Sequence, residues 1–194
     1  MASKSTRDRI VEEADALFYR VGFEATSFHA IASGVGISRG NFYHHFKSKD
    51  AILDAVIACR AEATREMLAR WETEGRGARE QLLCFIHILV ANRADIMGHG
   101  CPVGTLTNEL AKADHPARES AADIFALFRE WLAQRFEVLG AKDRADEYAL
   151  HLLAWSQGVA TLAAAFRDEF FIDREIAAIT AWLDKAIGFS PYSH

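Results

Sequence analysis

The chain has 194 residues, 51% hydrophobic and 25% charged, with only three prolines; that balance supports a sizeable buried core and excludes a disordered or low-complexity chain. The net charge of −5 at pH 7 excludes a uniformly basic nucleic-acid binder but leaves room for a local one. Residues 1–57 hold seven Lys/Arg and seven Asp/Glu, so the rest of the chain carries the whole −5, and between positions 20 and 49 four bases (Arg20, Arg39, Lys47, Lys49) stand against one acid, Glu24. Cys59, Cys84 and Cys101 show neither close pairing nor metal-ligand spacing, which points to a reducing compartment. The N-terminus has no apolar signal core, and the longest apolar run, 82–91, falls short of the about 20 residues a bilayer requires. A cytoplasmic location, no membrane partner, no metal and no cofactor are the resulting expectations.

Helix formers dominate and no segment alternates as a half-buried strand does, so the expected class is all-α, with about nine helices. The first is expected over 6–21, where Ile10, Ala14, Leu17, Phe18 and Val21 form one stripe and Gly22 ends it. Thr26 or Ser27 can cap a short second helix over 28–33. Gly34-Val35-Gly36 breaks it, and Ser38 caps a third over 39–46. Ser48 then caps a long fourth helix over 49–72. Beyond the polar stretch 74–77, helices are expected over 78–97, 103–113, 116–138, 143–168 and 173–187. Pro116 suits a first turn, and Asp143 and Asp173 suit caps.

Two short helices joined by a glycine-containing turn make a helix-turn-helix. Ile31, Ala32, Val35, Ile37, Phe42 and Phe46 are spaced to hold that unit on the first helix. Arg39, Gly40, Asn41, Tyr43 and His44 are left outside. Arg can grip guanine at two points and Asn can do the same to adenine. Helix starts at Thr26, Ser38 and Ser48 present backbone N–H groups suited to phosphates. Each residue also has a plainer reading: Tyr43 as a packing aromatic, His44 and Asn41 as passive surface, Lys47 and Lys49 as a solvated turn.

The order and spacing of Gly22-Phe23-Glu24-Ala25-Thr26-Ser27, Ile31-Ala32, Gly36-Ile37-Ser38-Arg39-Gly40-Asn41-Phe42-Tyr43-His44-His45-Phe46 and Lys49-Asp50-Ala51-Ile52-Leu53 resemble the signature of TetR-family regulators. The resemblance implies phosphate contacts from Thr26 or Ser27, Tyr43 and Lys49, with groove contacts from Arg39, Gly40, Asn41 and His44. Asn41 stands where many members carry a smaller residue and Phe42 where Leu is common; the first bears on base choice, the second on packing. It also implies a DNA-binding domain over 1–50 and an effector-binding, dimerising domain over 51–194.

The C-terminal residues give independent hints. Leu152, Trp155, Val159, Leu162 and Phe166 make the helix over 143–168 apolar on more than one face, and the final helix, with Ile179, Trp182 and Leu183, is its expected partner in a homodimer interface; a monomeric core is the alternative. Aromatic and polar residues intermingle as in a pocket for a hydrophobic or aromatic effector. The candidates are Phe85, His87, Ile88 and Asn92, then Cys101, Leu106 and Asn108, then Phe125, Phe128, Trp131 and Trp155. Cys101, beside His99 and ahead of a helix, is also a candidate thiol sensor. The expected function is therefore a DNA-binding regulator, most simply a repressor released by a small effector. A thiol enzyme built on Cys101 lacks any supporting nucleophile, metal or phosphate-loop motif. A protein-binding helical module is the remaining alternative.

Overall fold

The computed structural model describes residues 4–74, 77–168 and 170–189, and among them every regular element is a helix. The first is α1, Thr6–Val21. Ser5 opens it with a capping box: its hydroxyl accepts from the Asp8 N–H (3.2 Å) and its own N–H donates to the Asp8 carboxylate (3.3 Å). Then come α2, Phe28–Val35, and α3, Arg39–His45, capped by the Ser27 and Ser38 hydroxyls. Ser27, not Thr26, is the cap of α2. Between them Gly36 is left-handed (φ 72°, ψ 37°), a conformation a side chain would resist. Helix α4, Lys49–Glu74, follows, with Ala51 N–H bonded to Ser48.

The expected helix over 78–97 is two: α5, Ala78–Ala91, and α6, Arg93–His99. The break falls at Asn92, whose side-chain amide donates to the Ile88 carbonyl (2.9 Å) and competes with the helical backbone for it. Pro102 opens α7, Pro102–Lys112. Helix α8, Arg118–Val138, begins after Pro116 rather than on it, because the His115 ring nitrogen Nδ1 accepts from the Ala117 N–H (3.1 Å) and closes the turn. A single 3-10 turn, Lys142–Arg144, leads into α9, Ala145–Phe166, and α10, Phe171–Ala186, completes the chain. Neither expected Asp cap forms. Helices α9 and α10 have no side-chain cap, and Asp168 instead accepts from the Phe170 N–H (2.9 Å).

Packing divides the chain into two units. One is the chain through Ala63 together with Pro102–Ile124; the other is Thr64–Cys101 together with the chain from Phe125 onward. In the first, Ile10, Ala14, Ile31, Phe42, Ile52, Leu53 and Val56 are wholly buried, and Leu106, Leu110 and Ala121 from α7 and α8 are buried with them. Arg60 ties α4 to Asp15 (2.6 Å) and to the Pro102 carbonyl. In the second unit, Leu82, Ile86, Leu132, Phe136, Ala149, Leu152, Ala163, Ile172 and Leu183 are wholly buried. Phe136, Tyr148 and Trp182 meet edge to face or tilted. Arg79 clamps Asp184 with two bonds of 2.8 and 3.1 Å, and the Trp131 indole donates to Glu72 (2.9 Å). By length and composition alone, 142–166 could cross a bilayer. Nine of the α9 positions are nonetheless buried in this unit's core.

Candidate nucleic-acid interface

Helix α3 is amphipathic within seven residues. Phe42 is wholly buried and Phe46, just past the end, is 3% exposed. Arg39, Gly40, Asn41 and His44 are exposed, and Tyr43 is half-buried. The Tyr43 ring rests against Phe28 of α2 (centroids 5.4 Å apart) and against Phe42 (6.2 Å), and the Arg39 guanidinium lies over the ring, 5.7 Å from its centroid. These groups border a cleft of about 680 Å³ between α2 and α3, lined by Ser27, Phe28, His29, Ala32, Ser33, Ile37, Arg39, Phe42 and Tyr43. Its floor is apolar; hydroxyls, an imidazole and a guanidinium stand on its rim. Ser27, Arg39 and Tyr43 are thus brought together, with Gly40, Asn41 and His44 beside them on the free face of α3. Lys47 donates to the Tyr43 carbonyl (2.7 Å), and Arg9 from α1 to the Val35 carbonyl (2.5 Å).

Two expected phosphate contacts are corrected. Thr26 is 3% exposed and its hydroxyl donates to the Gly22 carbonyl (2.7 Å), so it is part of the loop interior. The Lys49 amine turns inward, donating to the carbonyls of Phe23 (3.1 Å) and Glu24 (3.2 Å) and lying 4.3 Å from the Phe23 ring centroid. It braces the loop before α2. Phe28, His29 and Ser33 were missed by the sequence reading. A signal for Phe28 existed in its place directly after the cap, one turn before Ile31 and Ala32 on the core face.

The effector-pocket candidates divide between the units and between core and surface. Phe85, Phe128 and Trp131 are buried, and Ile88, Phe125 and Trp155 half-buried. His87 and Asn92 are exposed, the Asn92 amide being spent on Ile88. Leu106 is buried and Asn108 exposed in the first unit. Cys101 is half-buried, its sulfur 3.5 Å from the Gln157 amide nitrogen. Among the described residues no cluster of His, Cys, Asp or Glu could hold a metal.

The interface candidates also sort by burial. Leu152 and Leu183 are 0% exposed and Val159 and Ile179 4%, so the chain's own core uses them and they have no surface to give a partner. Trp182 is half-buried, 4.3 Å from the His151 ring. Leu162 and Phe166 remain outward, 42% and 71% exposed. The outward face of α9 is Leu150, Ala154, Gly158, Thr161, Leu162, Ala165 and Phe166, and α10 exposes Ala177, Ala178 and Ala181.

The thiols are separable chemically. Burial, with Glu74 nearby, pushes the Cys84 thiol above its ordinary pKa, whereas Cys59 is exposed. Because the thiolate is the reactive species, Cys84 is expected to alkylate at pH 8 more slowly than the exposed Cys59. Mass spectrometry of iodoacetamide-labelled peptides checks this; equal rates contradict it.

Comparison with known proteins agrees with this geometry. Residues 10–56 match bacterial regulatory proteins of the tetR family, and residues 84–175 match the C-terminal domain of LmrA/YxaF-like transcriptional regulators. An uncharacterised HTH-type transcriptional regulator in the lacX 3′ region of Lactococcus lactis is 26% identical over 141 residues, 70% of either chain. The HTH-type transcriptional repressor KstR2 of Mycobacterium tuberculosis is 42% identical over 53 residues, of which this chain spans 26% of the relative's length. The crystal structure of a TetR-type transcriptional regulator from Streptomyces avermitilis superposes with a TM-score of 0.77 at 26% identity, covering 96% of this chain and all of that one. The fold and the helix-turn-helix define a DNA-binding transcriptional regulator. The chain belongs to the TetR family.

Proposed function

We propose that the chain is a homodimeric repressor that seats α3 in the major groove of a near-palindromic operator and releases it when a small aromatic effector binds the second unit. The observation that carries the reading is the free face of α3. Arg39, Gly40, Asn41 and His44 are exposed there, Ser27 and Tyr43 lie at its edge, and Phe42 anchors the helix from behind. Arg39 and Asn41 supply base readout; Ser27 and Tyr43, with the N-termini capped by Ser27 and Ser38, supply phosphate contacts. By role, residues 1–50 form the reading head and 51–194 the sensing and pairing part. The KstR2 relative is a transcriptional repressor.

The exposed small-residue stripe of α9 with Ala177, Ala178 and Ala181 of α10 supports pairing of two copies, which would set two recognition helices about 34–36 Å apart. The Trp155 indole nitrogen is buried without a hydrogen-bond partner among the described residues, and such a donor favours a ligand that brings an acceptor. An aromatic effector with a carbonyl or similar oxygen fits. Helix α4 runs from one packing unit into the other and is the lever in this reading. A coupling of about 1–3 kcal/mol would change operator affinity about 5–150-fold.

The test is selection from a random duplex pool, followed by binding at several salt concentrations. A palindromic consensus and a steep fall of affinity with salt are expected. Arg39→Ala should cost about 1–3 kcal/mol and relax preference at one base position. Ser27→Ala with Tyr43→Phe should weaken all duplexes alike. A wild-type protein that enriches no sequence, or an Arg39→Ala variant with unchanged preference, sinks the reading.

A further inference from the structure

We infer that Glu109 of α7 is a positioning residue for DNA binding: its carboxylate fills an anion nest on the backbone of Phe23 and Glu24 and so fixes the loop that carries Ser27. The inference rests on the reading that Ser27 and α3 meet the duplex. It concerns a residue 82 positions from Ser27 in the chain that the helix-turn-helix motif does not contain.

Each Glu109 oxygen has its own donor. Oε2 accepts from the Phe23 N–H (2.9 Å) and Oε1 from the Glu24 N–H (2.8 Å). Consecutive N–H groups aimed at one point form a concavity suited to an anion, and bonds to a charged acceptor are the stronger kind. The carbonyl oxygens of the same two residues both accept from the Lys49 ammonium. The loop is therefore gripped between a carboxylate on its N–H groups and an ammonium on its C=O groups. The Phe23 side chain, 1% exposed, pins the middle against Phe18 (5.2 Å) and His115 (5.4 Å).

Gly22 makes the approach possible. Its φ of +94° is one that L side chains rarely adopt, and a Cβ there would stand 3.1 and 3.3 Å from the two Glu109 oxygens. Beyond the nest, the Thr26 N–H bonds back to the Phe23 carbonyl (3.2 Å) and the Thr26 hydroxyl to Gly22. Ser27, the next residue, caps α2. Position is thereby passed from the nest toward Ser27 through the two bonds of Thr26. The α7 end is equally firm, because Leu106 and Leu110 flank Glu109 and are 3% and 1% exposed. A shift of α7 would be passed to the loop through this carboxylate.

The experiment uses the full chain and the duplex that the wild-type protein selects from a random pool, at fixed ionic strength. Glu109→Ala is expected to raise the dissociation constant about tenfold. Exchanging chloride for formate should restore most of that loss, because formate can enter the vacated nest, and should leave wild type unchanged. Glu109→Gln keeps the shape but offers one acceptor oxygen for two donors, and should bind between the two. By amide hydrogen exchange, the Phe23 and Glu24 N–H groups should be slow in wild type and fast in Glu109→Ala. Wild-type affinity in Glu109→Ala, or a loss that formate leaves untouched, overturns the inference. Should Glu109→Ala not fold, Glu109→Gln and the wild-type exchange rates decide, and fast exchange at both amides in wild type overturns it. A wild-type protein that selects no duplex refutes the DNA-reading assignment instead, and the exchange rates still judge the nest.

Discussion

Replacing Gly158 with glutamate is expected to yield a well-folded monomer that has lost tight operator binding. Gly158 lies on the outward face of α9, and a Cβ built there meets nothing within 4 Å in its own protomer. Within the protomer the change should be mildly favourable, since glycine inside a helix costs about 0.5–1 kcal/mol relative to a residue with a side chain. Across the proposed interface it places a charge among Ala154, Leu162 and Ala165, where a small-residue stripe lets two backbones approach. Losing the second reading head removes the gain from linked half-sites, about 10²–10⁴-fold in affinity. Sedimentation and thermal unfolding separate the two effects: a monomer with an undiminished unfolding midpoint is expected, and a persistent dimer would move the interface elsewhere.

Phe42→Ala should give the largest loss of stability. The ring is 0% exposed and packs edge-on to Phe28 (5.3 Å) and Tyr43 (6.2 Å). Deleting a buried Phe side chain costs about 3–5 kcal/mol, which lowers the unfolding midpoint by on the order of 10 °C. The same ring orients the face bearing Arg39 and supports Tyr43, so operator affinity should fall with stability even well below the midpoint. Calorimetry with binding measured at low temperature checks both; a midpoint within about 2 °C of wild type would mean that the cleft collapses onto the space without cost.

The helix-turn-helix was legible because its signals are local. Ser27 and Ser38 announce α2 and α3, Gly36 is the left-handed turn between them, and Phe42 with Phe46 marks the inner face of α3. What escaped reading depends on which partner each side chain takes, whether near in the chain or far. Thr26 and Ser27 are both hydroxyl residues, and only the fold shows that one bonds Gly22 while the other is exposed. Lys49 has the composition of a phosphate contact, but its partners are carbonyls 25 and 26 residues away. On α9 apolar residues occur on both sides, so periodicity could not say which belong to the core; Leu152 and Val159 went inside while Leu162 and Phe166 stayed out. The break at Asn92 and the late start of α8 hang on side-chain bonds to backbone that no hydrophobic pattern reports.

The discontinuous first unit bears on modular engineering. Regulators of this build invite chimeras in which one member's reading head is grafted onto another's sensor with the seam near residue 50. Here such a seam would part the α1–α2 loop from Glu109, Leu106 and Leu110. A recipient lacking a carboxylate at the matching place on α7 would inherit the right bases to recognise but a slack hinge beneath them. Carrying over residues 102–124 along with the first 63 would transplant the head together with its keystone.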